Sequence, residues 1–323
     1  MSTGHPDTPP RLVADIGGTN ARFALVPVGS NTPRPLVTLA TRRFDGLEPL
    51  IQAALADLDG PRPREALLAI ASPTGSDCIH LINAGWSFSI ADARAALHLD
   101  RLEVVNDWVA QGWAIPALTG EDLACIQSGT SSPDAPRLAL GPGTGLGSSL
   151  VVPTPAGWQI FPTEGGHMSF GPGNRREAEV VLAIQARFGH CSAERMASGI
   201  GLEAIHDALL AIDGKPSAKR DAQAIGAAAA AGDPVCGEAV TILLQAIASA
   251  AGDLALATGA RGGVYIGGGL IPALGSAFEP ERFRQRFTAK GRFEGYLARV
   301  SVYQIRHASP ALLGLARYLE ARA

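Results

Sequence analysis

The chain has 323 residues, 46% of them hydrophobic and 18% charged, with a formal net charge of −3. That length amounts to about two domains with a sizeable core. The apolar content and weak net charge exclude a disordered chain, and the lack of a basic field excludes a general nucleic-acid binder. Among 27 basic residues only Lys215, Lys219 and Lys290 are lysines, so a lysine-based phosphate clamp has few candidates.

Cys78, Cys125, Cys191 and Cys236 stand far apart with no CxxC pair. This spacing fits neither a zinc site nor a disulfide framework, and reduced thiols in the cytoplasm are expected. The N-terminal MSTGHPDTPPR lacks the apolar core of a signal peptide. The longest apolar stretch, Ala239–Gly252, contains Gln245 and is closed by Glu238 and Asp253. It is too short to span a bilayer and reads as a buried helix, so no membrane partner is expected.

In chain order, Arg11–Val26 reads as two strands around a turn at Gly17-Gly18, and Leu36–Phe44 as a third strand. Asp45 is the expected N-cap of a helix near Leu47–Leu58, with Leu47, Leu50, Ile51, Ala54 and Leu55 on one face. Glu65–Ser72 is a buried strand, Ser89 caps a helix through His98, Leu102–Asn106 is another buried strand, and Asp107 starts a helix that Pro116 stops. Leu138–Leu140 is a strand entering GPGTGLG, and a further strand follows through Val152. From Arg175 to about Gly259 the pattern is helical; Gly262–Ile266 and Val300–Ile305 are strands, and Pro310 opens a last helix. Strand–glycine junctions in a strand-rich first part and a helix-rich later part imply a two-domain α/β protein.

Three glycine loops carry the chemistry. In Asp15-Ile16-Gly17-Gly18-Thr19-Asn20, the glycines free backbone N–H groups to face an anion and Thr19 adds a hydroxyl. Asp15 suits Mg²⁺ or its bound waters, although a plain hairpin turn accounts for Gly-Gly equally well. Gly141–Gly147 places four glycines in seven residues after an apolar strand, and Gly267-Gly268-Gly269 follows another. Three such junctions suggest a bound nucleotide. No lysine lies in a P-loop pattern, and the first loop leads into a strand rather than the helix of a Rossmann unit.

Asn106-Asp107 ends a buried strand, where Asp107 can take a proton from a substrate hydroxyl or simply cap the next helix. Glu164-Gly165-Gly166-His167 combines carboxylate, imidazole and exposed backbone, which suits a polyol; a metal pair is the alternative. Ser192-Ala193-Glu194-Arg195 reads as a capping box or a helical ion pair. His190 reads as a helix-end residue, and His98 and His206 as structural helix residues.

The motifs DIGGTNARFAL, LEVVNDW, LGPGTGLGSSLV, EGGHMSF, SAERMASGIGL and GGVYIGGGLIP, in this order, resemble bacterial glucokinases of the sugar kinase/Hsp70/actin fold. The resemblance runs over residues 11–323. It implies a ribonuclease H-like two-domain α/β fold with an interdomain cleft, a small domain of residues 1–117 plus 308–323 and a large one of 118–307. It also implies an ATP- and Mg²⁺-dependent kinase acting on the 6-hydroxyl of glucose, the first step of glycolysis, in a cytoplasmic homodimer.

By the same resemblance Asp107 is the catalytic base, and Asn106, Glu164, His167, Glu194 and Asn83 join it on the sugar. Ala14, Asp15, Ile16, Gly17, Gly18, Thr19, Asn20, Gly143, Thr144, Gly145, Ser198, Gly199, Gly267, Gly268 and Gly269 fall to the nucleotide, with Asp15 on the metal. Ser72–Gly75 and Ile82–Trp86 resemble sugar-contact segments, with Ala84 and Gly85 smaller than the family pattern. No Cys-rich motif follows His167, which places the chain outside the zinc-containing repressor/kinase group, with no zinc expected. The alternatives are a kinase for mannose, fructose or an N-acetylhexosamine, a non-catalytic sugar-responsive regulator, and an actin-like assembly ATPase.

Overall fold

A computed structural model describes residues 8–72, 74–81 and 84–322. The chain divides into two units, one of Met1–Leu118, Thr154–Pro162 and His307–Ala323, the other of Thr119–Pro153 and Thr163–Arg306. The return of Thr154–Pro162 to the first unit has no signal in the sequence.

The first unit opens with β1 (Arg11–Ile16), β2 (Asn20–Val26), β3 (Arg34–Ala40), α1 (Leu47–Ala54) and β4 (Glu65–Ile70). A hairpin of β5 (Cys78–Leu81) and β6 (Trp86–Ser89) follows, then α2 (Ile90–Ala96), β7 (Arg101–Asn106) and α3 (Asp107–Ala114). The second unit carries β8 (Leu123–Gln127), β9 (Arg137–Pro142) and β10 (Leu146–Thr154). After β11 (Gly157–Thr163) come α4 (Arg175–Phe188), α5 (Gly199–Ile212), α6 (Ala222–Ala230), α7 (Pro234–Thr258), β12 (Val264–Ile266), α8 (Leu270–Leu274), α9 (Pro280–Thr288), α10 (Glu294–Leu297) and β13 (Val302–Ile305). Finally α11 (Pro310–Ala321) belongs to the first unit.

The first sheet has the order β3-β2-β1-β4-β7. β1 runs antiparallel to β2 and parallel to β4, and β4 runs parallel to β7. Within the second unit the order β10-β9-β12-β13-β8 repeats the plan: β9 is antiparallel to its hairpin partner β10 and parallel to β12, which is parallel to β13. The turns Gly17–Thr19 and Gly143–Gly145 therefore occupy equivalent positions.

Strand alternation sorts the first unit's core into two layers. Leu12, Ala14 and Ile16 of β1 pack with Leu47, Leu50 and Ile51 of α1 on one face. Val13 joins Leu67, Ala69, Ala110, Leu312 and Leu315 on the other, the face covered by α3 and α11. Asp15 has the parity of Val13, so it stands on the α3 face. Gly314 brings α11 against α3: a Cβ there would lie 1.8 Å from the Ala110 carbonyl oxygen.

Several local expectations are corrected. Asp45 lies one residue too early to cap α1, whose N-cap is the extended Gly46. The cap of α3 is Asn106, with Asp107 as the first helical residue. β3 ends at Ala40 and a 3₁₀ turn spans Thr41–Arg43. α2 ends at Ala96, leaving His98 outside it at φ 54°. α7, at 25 residues, outruns the expected apolar stretch and is long and apolar enough to cross a membrane, but it is mostly buried as the central helix of its unit's core.

Gly314→Ala is expected to lower stability by about 1–3 kcal/mol, because backbone rather than a mobile side chain stands in the way. Thermal unfolding measures it; an unchanged melting temperature would contradict this packing.

Candidate active site

The parallel register places the candidate residues of the first unit. Ile16 pairs with Ile70 and Ile70 with Asn106, so β1, β4 and β7 end level at their carboxyl ends. That edge is where open α/β sheets hold ligands. Gly17, Ser72 and Asp107 all follow from it.

The first loop is a tight turn, with Gly17 N donating to Asn20 O at 3.0 Å. Thr19 and Asn20 are exposed, whereas Ala14 and Ile16, both expected at the nucleotide, bury their side chains in the core. Thr41, fully buried, holds the turn from behind: its Oγ1 donates to Gly17 O at 2.7 Å and its N–H to Thr19 O at 3.0 Å.

Asp15 pairs across the sheet with Arg22, whose Nη1 lies 3.5 Å from Oδ2. Burial raises the Asp15 carboxyl above its ordinary range, and Arg22 pulls it back. Asp107 is pushed up to about 7, chiefly by burial and then by the negative charge of Asp15; hydrogen bonds from the Trp108 backbone and the Asn106 side chain act against this. A carboxyl poised near neutrality is what a general base needs. Asn106 Oδ1 accepts from Trp108 N at 2.9 Å, and its Nδ2 donates to Ser72 O at 3.5 Å and to the Asp107 carboxylate. Ser72 itself is fixed by donating to His80 O at 2.7 Å.

A second group of candidate residues lies within the other unit, where glycines let four segments interlock. Gly143 N donates to Gly145 O, and Gly199 N to Gly143 O, both at 2.8 Å. Gly267 N donates to Leu140 O at 2.8 Å, and Gly268, at φ +83°, would meet Pro142 O at 2.5 Å with any Cβ. A Cβ on Gly166 would lie 2.1 Å from Leu146 O. Thr144 and Gly269 are exposed.

Glu194 is neither a capping-box member nor a surface ion-pair partner. The Ser192–Arg195 segment forms a turn, not a helix, in which Glu194 N donates to Gly166 O at 2.8 Å and Oε2 accepts from Leu146 N at 3.0 Å. Ser198 caps α5 and donates to Glu194 O at 2.6 Å, so its hydroxyl serves the scaffold and Gly199 carries the contact to the second loop. Glu164 and His167 project outward, with side chains 78% and 63% exposed and 3.7 Å apart.

Each unit thus gathers its own set: Asp15–Asn20, Asn106 and Asp107 in the first, and Gly143–Gly145, Glu164, His167, Glu194, Ser198, Gly199 and Gly267–Gly269 in the second. Asn83 lies outside the described residues. Gly85, read from the sequence as a departure at a sugar-contact segment, adopts φ +78° in the β5–β6 turn, where its N donates to Leu81 O at 2.9 Å. Glycine serves that backbone conformation.

Among the described residues no group of three or more His, Cys, Asp or Glu forms a metal cluster. Mg²⁺ does not require one, since it keeps several waters and takes one or two carboxylates. Asp15, half-buried beside a second carboxyl, fits that demand.

The protein-family model described as glucokinase matches residues 12–322. The chain belongs to the glucokinase family. A glucokinase of Chromobacterium violaceum is 45% identical over 320 residues, covering 99% of this chain and 92% of the relative. One of Aromatoleum aromaticum is 44% identical over 322 residues, covering 99% and 97%. The crystal structure of a glucokinase from an Antarctic psychrotroph superposes with a TM-score of 0.84 at 34% identity, covering 97% of this chain and 99% of that one. The chain is accordingly an enzyme with the sugar kinase/actin-like fold.

Sequence reasoning passed over Thr41 and Arg22. Arg22 stands two residues inside β2, opposite Asp15, and was readable from a hairpin register; Thr41, far from the loop in sequence, carried no signal. Thr41→Val leaves Gly17 O unpaired in a buried place and is expected to cost about 1–2 kcal/mol. It should raise KM for the phosphoryl donor more than KM for the sugar, and Thr41→Ser should restore both. Steady-state kinetics with equal effects on the two constants would refute a positioning role.

Proposed function

We propose that the enzyme transfers the γ-phosphoryl group of ATP to the 6-hydroxyl of D-glucose, giving glucose 6-phosphate and ADP. The carrying observation is Asp107, a carboxyl raised to about 7 at the level ends of three parallel strands, beside Asp15 and a glycine turn.

Asp107 accepts the 6-hydroxyl proton as the oxygen forms its bond to the γ-phosphorus, and the bond from that phosphorus to the bridging oxygen breaks to release ADP. Asn106 Nδ2, Glu164, His167 and the remaining acceptor capacity of Glu194 orient the sugar hydroxyls. The backbone N–H groups of Gly18, Thr19, Thr144 and Gly145, with the Thr19 and Thr144 hydroxyls, take the phosphate oxygens in place of a lysine. Asp15 would hold Mg²⁺ directly or through water; when bound, the ion supplies charge neutralisation on the transferred group. The proposal places the enzyme in the cytoplasm, as a homodimer, at the first step of glycolysis.

The test is ADP release by the purified protein with ATP and Mg²⁺, first without sugar and then with glucose, mannose, fructose or N-acetylglucosamine. Turnover should be low without sugar and rise most with glucose. Asp107→Asn should lower kcat by about 10²–10⁴ with glucose binding retained. Preference for another hexose, or sugar-independent hydrolysis, would overturn the substrate; near-normal turnover in Asp107→Asn would overturn the base.

A further inference from the structure

The second unit holds a cavity of about 310 Å³ lined by Thr130, Arg261, Tyr296, Arg299 and Val300. It lies at the opposite end of the sheet from the phosphate loops. Arg261 precedes β12, which ends in Gly267, and Val300 precedes β13, parallel to β12. Thr130 follows β8, which runs antiparallel to β13, so it returns to the same edge.

Two positive charges face this cavity without an acidic lining residue. Arg261 and Arg299 are exposed, and among the described residues neither forms an ion pair. The Tyr296 hydroxyl has no described partner either, and its ring packs edge-on to Phe293 with centroids 6.1 Å apart.

The backbone around the cavity is fixed. Ser132 N donates to Arg261 O at 3.1 Å, and Gly129 N to Ser301 Oγ at 3.2 Å. Gln127 Nε2 donates to Val300 O at 2.7 Å, and a Cβ on Gly129 would lie 2.4 Å from Arg299 O. The bases of both arginines are therefore held in place while their guanidinium groups are left without a counter-charge.

Guanidinium forks match the oxygens of a phosphoryl group, and a dianion relieves the repulsion between two unpaired cations. The volume is at the lower end of small-molecule sites, which limits the organic part to a short one. We propose that this cavity binds a phosphoryl group, free or carried by a small metabolite, at a site separate from the phosphate loops. Arg261 and Arg299 contact the oxygens, and Thr130 and Tyr296 add hydroxyl donors.

The experiment titrates inorganic phosphate and, separately, glycerol 3-phosphate into the full chain and into Arg261→Gln/Arg299→Gln, followed by calorimetry. Saturable binding that weakens at least tenfold in the double variant, with kcat unchanged, supports the site. Tighter binding of the ester than of phosphate identifies a metabolite-borne group, and equal binding identifies the free ion; both support a phosphoryl site. No saturable binding, or binding that the double variant leaves unaltered, overturns it. Should the double variant fail to fold, Arg299→Lys keeps the charge but loses the fork, and is expected to weaken binding several-fold. An unchanged affinity there overturns the assignment equally.

Discussion

Two carboxyl groups on one face of the first sheet stand close enough that the charge of one bears on the other. Asp15 ends β1 with the parity of the α3-facing layer, and Asp107 opens α3 at the level where β1, β4 and β7 stop. Burial makes both harder to ionise, and the charge of Asp15 adds to the penalty on ionised Asp107. Asp107 is consequently pushed up to about 7, while Arg22, paired to Asp15 across the hairpin, pulls the Asp15 carboxyl back toward its ordinary range. The close fit of Gly314 on Ala110 belongs to the same constraint, because it holds α3, and hence Asp107, against the sheet.

In the second unit the constraint is close backbone packing at glycine loops that contain no lysine. Its glycine loops bring backbone from four segments into direct hydrogen bonding, and at Gly166 and Gly268 a side chain would collide with a carbonyl oxygen. Thr144 stays exposed beside these contacts. The two sheets share one plan, so the same strand-turn-strand device appears at Gly17–Gly18 and at Gly143–Gly145, once per unit.

Much of this was legible in the sequence, and the reasons are local. The stretch Arg11–Val26 was readable as two strands, the Gly-Gly turn marked the junction between them, and the apolar face of α1 fell as its 3.6-residue period dictates. Cap positions were less legible. Asp45 and Asp107 each stood next to a cap rather than in it, because a shift of one residue changes which N–H groups a side chain can reach. Glu194 misled for another reason: its spacing from Ser192 imitates a helix start, yet its carboxylate is held by Leu146, distant in sequence. Thr41 and the return of Thr154–Pro162 to the first unit depend on long-range packing that no window of sequence contains. The family resemblance implied a sugar role for Glu194 where its neighbours suggested a cap.

The most direct test of the coupled carboxylates is a ¹³C NMR titration of the Asp107 side chain in metal-free protein, wild type and Asp15→Asn. Pushed up to about 7 from the ordinary carboxylate range near 4, Asp107 is expected to be protonated between those values and to ionise as pH rises through about 7. The expected wild-type midpoint is therefore about 7, moving to lower pH in Asp15→Asn, where a like charge is gone. A midpoint in the ordinary carboxylate range near 4, or one that ignores the loss of Asp15, would contradict the account.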